Sequence, residues 1–280
     1  MNKPDADAGK EPPATPPSPA WPRPNLLNTT LLIFLLAVIF SAVRTEGHER
    51  DLDVWRNLGR FLGDFFPPDL SVVDQTAAAL LETVEIAVLS TFFAILLSLG
   101  IALCAAQTLA PRWLVALTRM LLNIIRTIPS LIWAVIAVAA IGANAQAGVA
   151  ALTFYSIGYL GKFFSEAFES VDMKVAKSLR LIGADPLQAF QYGIWPHAKP
   201  LIWSHGIWML EYNIRSASII GYVGAGGLGL QLHAYQEFHQ WDRFATVLIC
   251  ILTVVTLLDV LSERIRRRIT RNGPPAQLRD

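Results

Sequence analysis

Residues 127–161, TIPSLIWAVIAVAAIGANAQAGVAALTFYSIGYLG, carry no charged side chain over 35 positions, and this run decides the fold. At 1.5 Å of rise per residue it is too long for one helix across a hydrocarbon core about 30 Å thick and about right for a helical hairpin. The turn falls in GANAQAG, residues 142–148, where two glycines and an asparagine interrupt the apolar run. Pro129, three residues after Arg126, kinks or starts the first arm.

Four more apolar runs flank the hairpin. Residues 25–43 hold no charge in 19 positions, residues 77–106 are charge-free from Ile86 onward, and two further spans fall at about 200–224 and 241–260. The expected fold class is therefore all-α, a polytopic membrane helical bundle of six transmembrane helices. Composition agrees: 53% of the 280 residues are hydrophobic and only 16% charged, against about 25% in soluble domains. Little chain remains for a soluble catalytic domain.

The segments between spans complete the layout. Residues 1–25 hold eight of the 17 prolines and almost no large apolar residue, which describes a disordered tail. Residues 26–43 form the first transmembrane helix; a cleaved signal peptide competes with that reading, but the run is longer than a usual signal core. In the loop 44–75, Val54, Trp55, Leu58, Phe61, Leu62 and Phe65 recur at helical spacing, so an amphipathic helix is expected on the bilayer surface, ended by Pro67 and Pro68. Glu82 and Glu85, three apart, mark a watery interfacial turn. Residues 76–263 are the core and 264–280 a basic tail.

Charge placement orients the bundle. Six spans put 17 of the 23 Lys and Arg residues on the side of the termini and five on the other, with Arg215 inside a span. By the positive-inside rule both termini are expected to face the cytoplasm. The opposite loop 44–75 holds seven acidic residues against four basic ones, which disfavours direct capture of an anion there.

Enzymatic signatures are absent from the sequence. It contains no G-x-x-x-x-G-K-[ST] loop and no H-E-x-x-H, its five histidines lack metal-ligand spacing, and Cys104 and Cys250 sit singly in apolar runs as packing residues. Gly224-Ala-Gly226-Gly227-Leu-Gly229 matches G-x-G-x-x-G formally, but it follows a membrane span, so no dinucleotide fold can form around it. These glycines instead form a turn at the outer end of the fifth span and allow close backbone approach.

Residues 172–199 carry the most information on the cytoplasmic side. Val175, Ala176, Leu179 and Ile182 form a helical stripe that ends at Gly183. Asp185-Pro186-Leu187-Gln188 then reads as a new helix start, with Asp185 as N-cap, Pro186 at the first position and Gln188 closing a capping box. Leu187, Phe190 and Ile194 give that helix its apolar face, and Pro196 and Pro200 stop it. Two short helices joined at a tight corner need something to dock on.

This stretch resembles the permeases of ABC importers, whose cytoplasmic signature runs from Glu-Ala-Ala through a Gly to a Pro. Residues 183–196, GADPLQAFQYGIWP, are similar to the Gly-to-Pro portion, while Lys177-Ser178-Leu179 stands where Glu-Ala-Ala is usual. Residues 211–229, EYNIRSASIIGYVGAGGLG, together with Arg126-Thr-Ile-Pro129 and Gly161-Lys162-Phe-Phe-Ser-Glu166, look like the phosphonate and phosphite importer permeases. The resemblance covers about residues 75–268. It implies a type I importer permease fold and a homodimer, with two copies of a separate ATPase carrying ATP and magnesium, a periplasmic substrate-binding protein, and no cofactor in this chain. It also implies ATPase docking through coupling helices at about 172–194, by Lys177, Gly183, Ala184, Asp185, Pro186, Phe190 and Pro196. Nothing points to nucleic acid.

Glu211 and Arg215 stand out without any resemblance. Each charge near the middle of a span costs on the order of 2.5–3.5 kcal/mol on insertion scales. Spaced i to i+4 with the acid first, they are expected to face one side of the helix and to pair. Two readings stay open: an interhelical salt bridge, or a substrate pathway in which Glu211, Asn213, Arg215 and Ser216 meet a phosphorus oxyanion. A proton-coupled carrier using Glu211 is the rival function, and it predicts inverted repeats that the sequence does not display.

Overall fold

The computed structural model describes residues 26–44 and 53–271. The expected tail 1–25, the loop stretch 45–52 and residues 272–280 lie outside the described residues. The chain divides into two compact units, 1–57 and 58–280.

In the first unit, α1 spans Leu26–Arg44, an apolar helix with no buried residue. Helix α2, Val54–Asp64, begins there and runs into the second unit. The core comprises α3 (Val73–Ala105), α4 (Arg112–Thr127), α5 (Ser130–Ile141), α6 (Ala145–Glu169), α7 (Met173–Leu181), α8 (Pro186–Ala189), α9 (Trp195–Ile220), α10 (Leu228–Glu237) and α11 (Trp241–Arg271). Among the described residues there is no strand.

Helix α6 is the central post, packing on α3, α4, α5 and α9. Small residues make this possible: a Cβ on Gly161 would lie 2.9 Å from Leu122 of α4 and 3.5 Å from Ile101 of α3. The bundle has two ends. At the hairpin end, α5 turns into α6 through Gly142–Asn144, and Asn144 caps α6 by accepting from the Ala147 amide at 2.9 Å. Arg243 at the start of α11 pairs there with Asp69 at 3.1 Å. At the opposite, corner end, the Arg119 guanidinium bonds Glu169 and donates to the Ala105 carbonyl, while Glu169 also accepts from the Gln107 amide. This clamp ties the end of α3 to the end of α6.

The expected hairpin exists, but its first arm is shorter than the sequence suggested. Helix α5 has 12 residues, roughly 18 Å, and cannot cross the bilayer alone. Residues 112–127, expected as part of a basic connection, are helical and meet α5 at an angle of 89°. Pro129 is the N-cap of α5 and has no amide hydrogen to continue α4, which explains the break.

Among the described residues, three helices are long and apolar enough to cross a membrane, over Leu26–Arg44, Leu70–Ala105 and Trp241–Ile269, and the bent pair makes a fourth candidate. Helices α6 and α9, with 25 and 26 residues, have the length but are too polar for that test. Their polar groups, including Ser156 and Asn213, are buried between helices rather than turned to lipid. Hydropathy alone thus picks out three or four of the six expected spans.

Two termination signals act differently from expectation. Pro196 and Pro200 do not stop a helix: α8 continues through a π-helical stretch, Phe190–Ile194, directly into α9. Pro196 lies in the first turn of α9, directly after the wider π-helical turn, whose altered hydrogen-bond register accommodates a residue without an amide hydrogen. Helix α11 continues to Arg271, so Arg264, Arg266, Arg267 and Arg268 are helical rather than part of a tail.

Residues Val54–Asp64 are helical, with Pro67 and Pro68 beyond the end of α2. Part of its apolar face meets protein: Phe61 and Phe65 lie 5.0 and 5.8 Å, ring to ring, from Trp241.

Candidate functional site

Two regions gather the residues singled out by the sequence. The first is the corner formed by α7 and α8. Asp172 caps α7 by accepting from the Lys174 amide at 2.9 Å. The helix ends in a Schellman motif: the Gly183 amide donates to Arg180 O, the Ala184 amide donates to Leu179 O, and Gly183 takes φ +98°. The capping box follows, with Gln188 N donating to Asp185 Oδ1 at 2.7 Å and Asp185 N to Gln188 Oε1 at 3.1 Å. Such caps contribute about 1 kcal/mol each and fix the angle of the turn.

The corner is anchored on one side and bare on the other. Ala176 and Ala189 are buried, a Cβ on Gly193 would lie 2.9 Å from Ala176 Cα, and Phe190 meets Phe168 of α6 at 5.5 Å. Leu181, Ile182 and Leu187 are 87%, 81% and 71% exposed. Lys177, Gly183, Asp185, Pro186 and Pro196 are exposed as well, Ala184 is half-buried and Phe190 turns inward. Ala176 and Ile194 on the apolar faces of the two helices are buried, whereas Ile182 and Leu187, placed by spacing on the same faces, point out. The turn at Gly183 carries them past the face that Ala176 buries, a displacement that no periodicity encodes.

The second region is a layer of polar groups halfway along the bundle. Asn213 of α9 is fully buried and donates to Thr91 Oγ1 of α3 at 2.9 Å, while its amide group also bonds Ser156 Oγ of α6. Ser216 is buried too. In this structure Asn213 ties three helices together and offers no surface to a solute. Hydrogen bonds of this kind between membrane helices average about 0.6 kcal/mol, so the layer is a modest but directional fastening.

The expected pair between Glu211 and Arg215 does not form. Glu211 Oε1 accepts from Arg266 Nη2 at 2.9 Å, and Arg215 Nη1 donates to Asp259 at 3.1 Å. Both partners lie on α11, which runs antiparallel to α9 and presents Asp259 and Arg266 seven residues apart, two turns on one face. Across that interface each charge meets its opposite, which satisfies both better than a pair within α9. Both are salt bridges between helices, with partners that the sequence reading did not name.

At the hairpin end the glycines make a tight turn with close backbone approach. Gly224, Gly226 and Gly227 take φ of +88°, +82° and +72°, and a Cβ on Gly229 would lie 2.6 Å from Ser218 O and 2.7 Å from Gly221 Cα. The Leu228 amide donates to Thr83 Oγ1 of α3 at 2.8 Å, fastening the turn to the bundle. Beside it, an apolar groove of about 480 Å³ between α3 and α6 is edged by Glu82 and Glu85. Carboxylates at its rim make it a poor seat for an anion. Outside the spans, hydrogen bonds from the Ser71 side chain and amide, followed by the Arg243 guanidinium, hold the Asp69 carboxyl below the ordinary aspartate range, against a small desolvation.

Among the described residues the chain is a helical bundle with a capped, apolar-tipped corner that leads straight into a core helix. The chain belongs to the family described as binding-protein-dependent transport system inner membrane component, which it matches over residues 75–271. Among its relatives, the phosphite transport system permease protein PtxC of Stutzerimonas stutzeri is 37% identical over 212 residues, covering 75% of this chain and 77% of that protein. The phosphate-import permease protein PhnE of Mycolicibacterium smegmatis is 30% identical over 225 residues, covering 80% of this chain and 42% of that one. Among solved structures, a chain of the MetNI methionine ABC transporter in an inward-facing conformation superposes with a TM-score of 0.64 at 22% identity, covering 72% of this chain and 99% of that chain. That likeness establishes the fold.

Proposed function

We propose that this chain is the translocation subunit of an ATP-driven importer for a phosphorus oxyanion such as phosphite, phosphonate or hypophosphite. Two copies form the pathway, two copies of a separate ATPase bind ATP and magnesium and dock at the α7–α8 corners, and a periplasmic binding protein delivers the anion. Both termini lie in the cytoplasm. The relatives named for phosphite and phosphate import support the substrate class. The observation that carries the mechanism is the bare apolar tip of Leu181, Ile182 and Leu187 on a corner whose caps make it rigid. Because α8 passes into α9 without a loop, a push on that tip is transmitted along α9 into the middle of the membrane.

The proton-coupled alternative has no comparable support, since Glu211 is held by Arg266 and the family is that of binding-protein-dependent systems. Reconstitution separates the two. Phosphite uptake into proteoliposomes should require ATP, the ATPase and the binding protein and should persist with an uncoupler; uptake by the chain alone, driven by a proton gradient, would overturn the reading.

A further inference from the structure

Among the described residues, five Lys and Arg side chains are partly buried: Arg119, Arg126, Lys162, Arg243 and Arg266. Four of them lie within 3.7 Å of a carboxylate oxygen, on Glu169, Glu166, Asp69 and Glu211 respectively. Arg126 has no such partner among the described residues, and its Nε is buried without a hydrogen bond. What it does have is an aromatic ring: its Cζ sits 4.6 Å from the centroid of Tyr159.

The position of this arginine is as unusual as its isolation. A Cβ on Gly158 would lie 2.9 Å from Arg126 Cγ, so the side chain meets α6 two residues past Ser156. That is the level of the buried Asn213 layer, halfway along the bundle. Thr153 faces α3 by donating to the Ser90 carbonyl, and Tyr155 and Tyr159, two and six residues on, occupy the side of α6 turned away from it. Tyr155 stacks on Tyr212 of α9 at 5.2 Å and lies 5.0 Å from Tyr159, and Tyr159 and Tyr212 are half-buried rather than sealed.

We propose that Arg126, on this tyrosine-lined face, is the group that holds the translocated oxyanion midway through the membrane. The proposal rests on the oxyanion reading and names the site for it. A guanidinium offers a planar fork of donors that fits two oxygens of a phosphorus oxyanion, and tyrosine hydroxyls add neutral donors. Arg215 and Arg266 already have their charges met by Asp259 and Glu211; Arg126 does not, so an arriving anion has no carboxylate to displace. A ring beneath the cation holds it in place without neutralising it.

The test uses the complete importer, with its ATPase and binding protein, in proteoliposomes with labelled phosphite. Arg126→Gln should lower maximal uptake at least about tenfold, as expected for loss of a charge-assisted contact, with binding-protein-stimulated ATP hydrolysis kept within about twofold. Arg126→Lys, which keeps a cation, should retain a clear fraction of uptake, and Arg215→Gln should not reproduce the pattern. Normal uptake by Arg126→Gln would overturn the proposal, and so would equal loss of uptake and ATP hydrolysis in an assembled complex. If both Arg126 variants fail to assemble, Tyr159→Cys in a chain with Cys104 and Cys250 changed to Ala decides: modification by an anionic thiosulfonate, slowed by phosphite, supports the site, and inertness overturns it. A wild-type complex that carries no phosphorus oxyanion would instead defeat the substrate assignment, an outcome distinct from all of these.

Discussion

The Glu211 carboxylate and the Arg266 guanidinium meet at 2.9 Å across the interface between α9 and α11, with only 8% of the Glu211 side chain exposed. Removing one partner leaves the other charge poorly compensated in a low-dielectric setting, which costs more than the pair contributes when intact. Arg266 is 29% exposed, so screening moderates the effect. Glu211→Ala should destabilise the purified chain by about 1–3 kcal/mol, and the exchange Glu211→Arg with Arg266→Glu should recover part of it. Thermal unfolding in detergent measures both; a double variant no better than the singles would refute the pairing.

Asn213→Leu keeps the branched outline of the side chain and removes every hydrogen bond to Thr91 and Ser156. If the layer is a fastening, stability should fall by roughly 1 kcal/mol while the anion preference of the assembled importer stays unchanged. A shift in the ratio of phosphite to phosphate uptake would show instead that Asn213 faces the substrate.

At the corner, Leu181→Asp combined with Leu187→Asp touches side chains that are 87% and 71% exposed, so the fold should tolerate the change within about 0.5 kcal/mol. Copurification of the ATPase should fall at least about tenfold, because apolar contact area is replaced by charge. Full ATPase recovery with the double variant would move the docking surface elsewhere.

Gly229→Ala puts a methyl group 2.6 Å from a backbone oxygen and 2.7 Å from Gly221 Cα, positions that no rotamer can relieve. The α9–α10 turn must open, with a loss of about 1–3 kcal/mol or failure to accumulate. Gly59→Ala, with nothing within 4 Å, is the matched control and should have no such effect.

Asp69 supplies a pH prediction. Its carboxyl titrates below the ordinary aspartate range in the folded chain, so its contribution is complete above about pH 4 and is lost as the pH falls through the lower folded value. Amide exchange around residues 69–72 and the start of α11 should therefore quicken only on acidification below that range. Asp69→Asn should show the quickened exchange at neutral pH; identical profiles for the two proteins would remove Asp69 as the fastening.

Much of this molecule was legible in the linear chain, because a bilayer leaves the backbone few choices. The charge-free run 127–161 could only be a hairpin, and Asp185-Pro-Leu-Gln188 could only begin a helix, since local hydrogen bonding sets both. Gly224 to Gly229 were read as a close-approach turn, and they are one. Local rules failed where the decisive partner is remote in sequence. Spacing pointed Glu211 at Arg215, but α11 brought Arg266 and Asp259 from 55 and 44 residues away. Pro196 and Pro200 promised a stop, but the π-helical stretch carried the chain through.

The sequence by itself determined the class of protein and the capped corner, since these depend on apolar composition and on contacts within a turn or two of helix, while the bend between α4 and α5 appeared only in the structure. Only the tertiary structure decided which charges are neutralised. Arg126, Arg215 and Arg266 are equivalent letters in a hydrophobic text until packing gives two of them a carboxylate and leaves the third over a tyrosine ring. Coulomb energy in a membrane depends on distances across helix interfaces, and those distances exist only once the helices are packed.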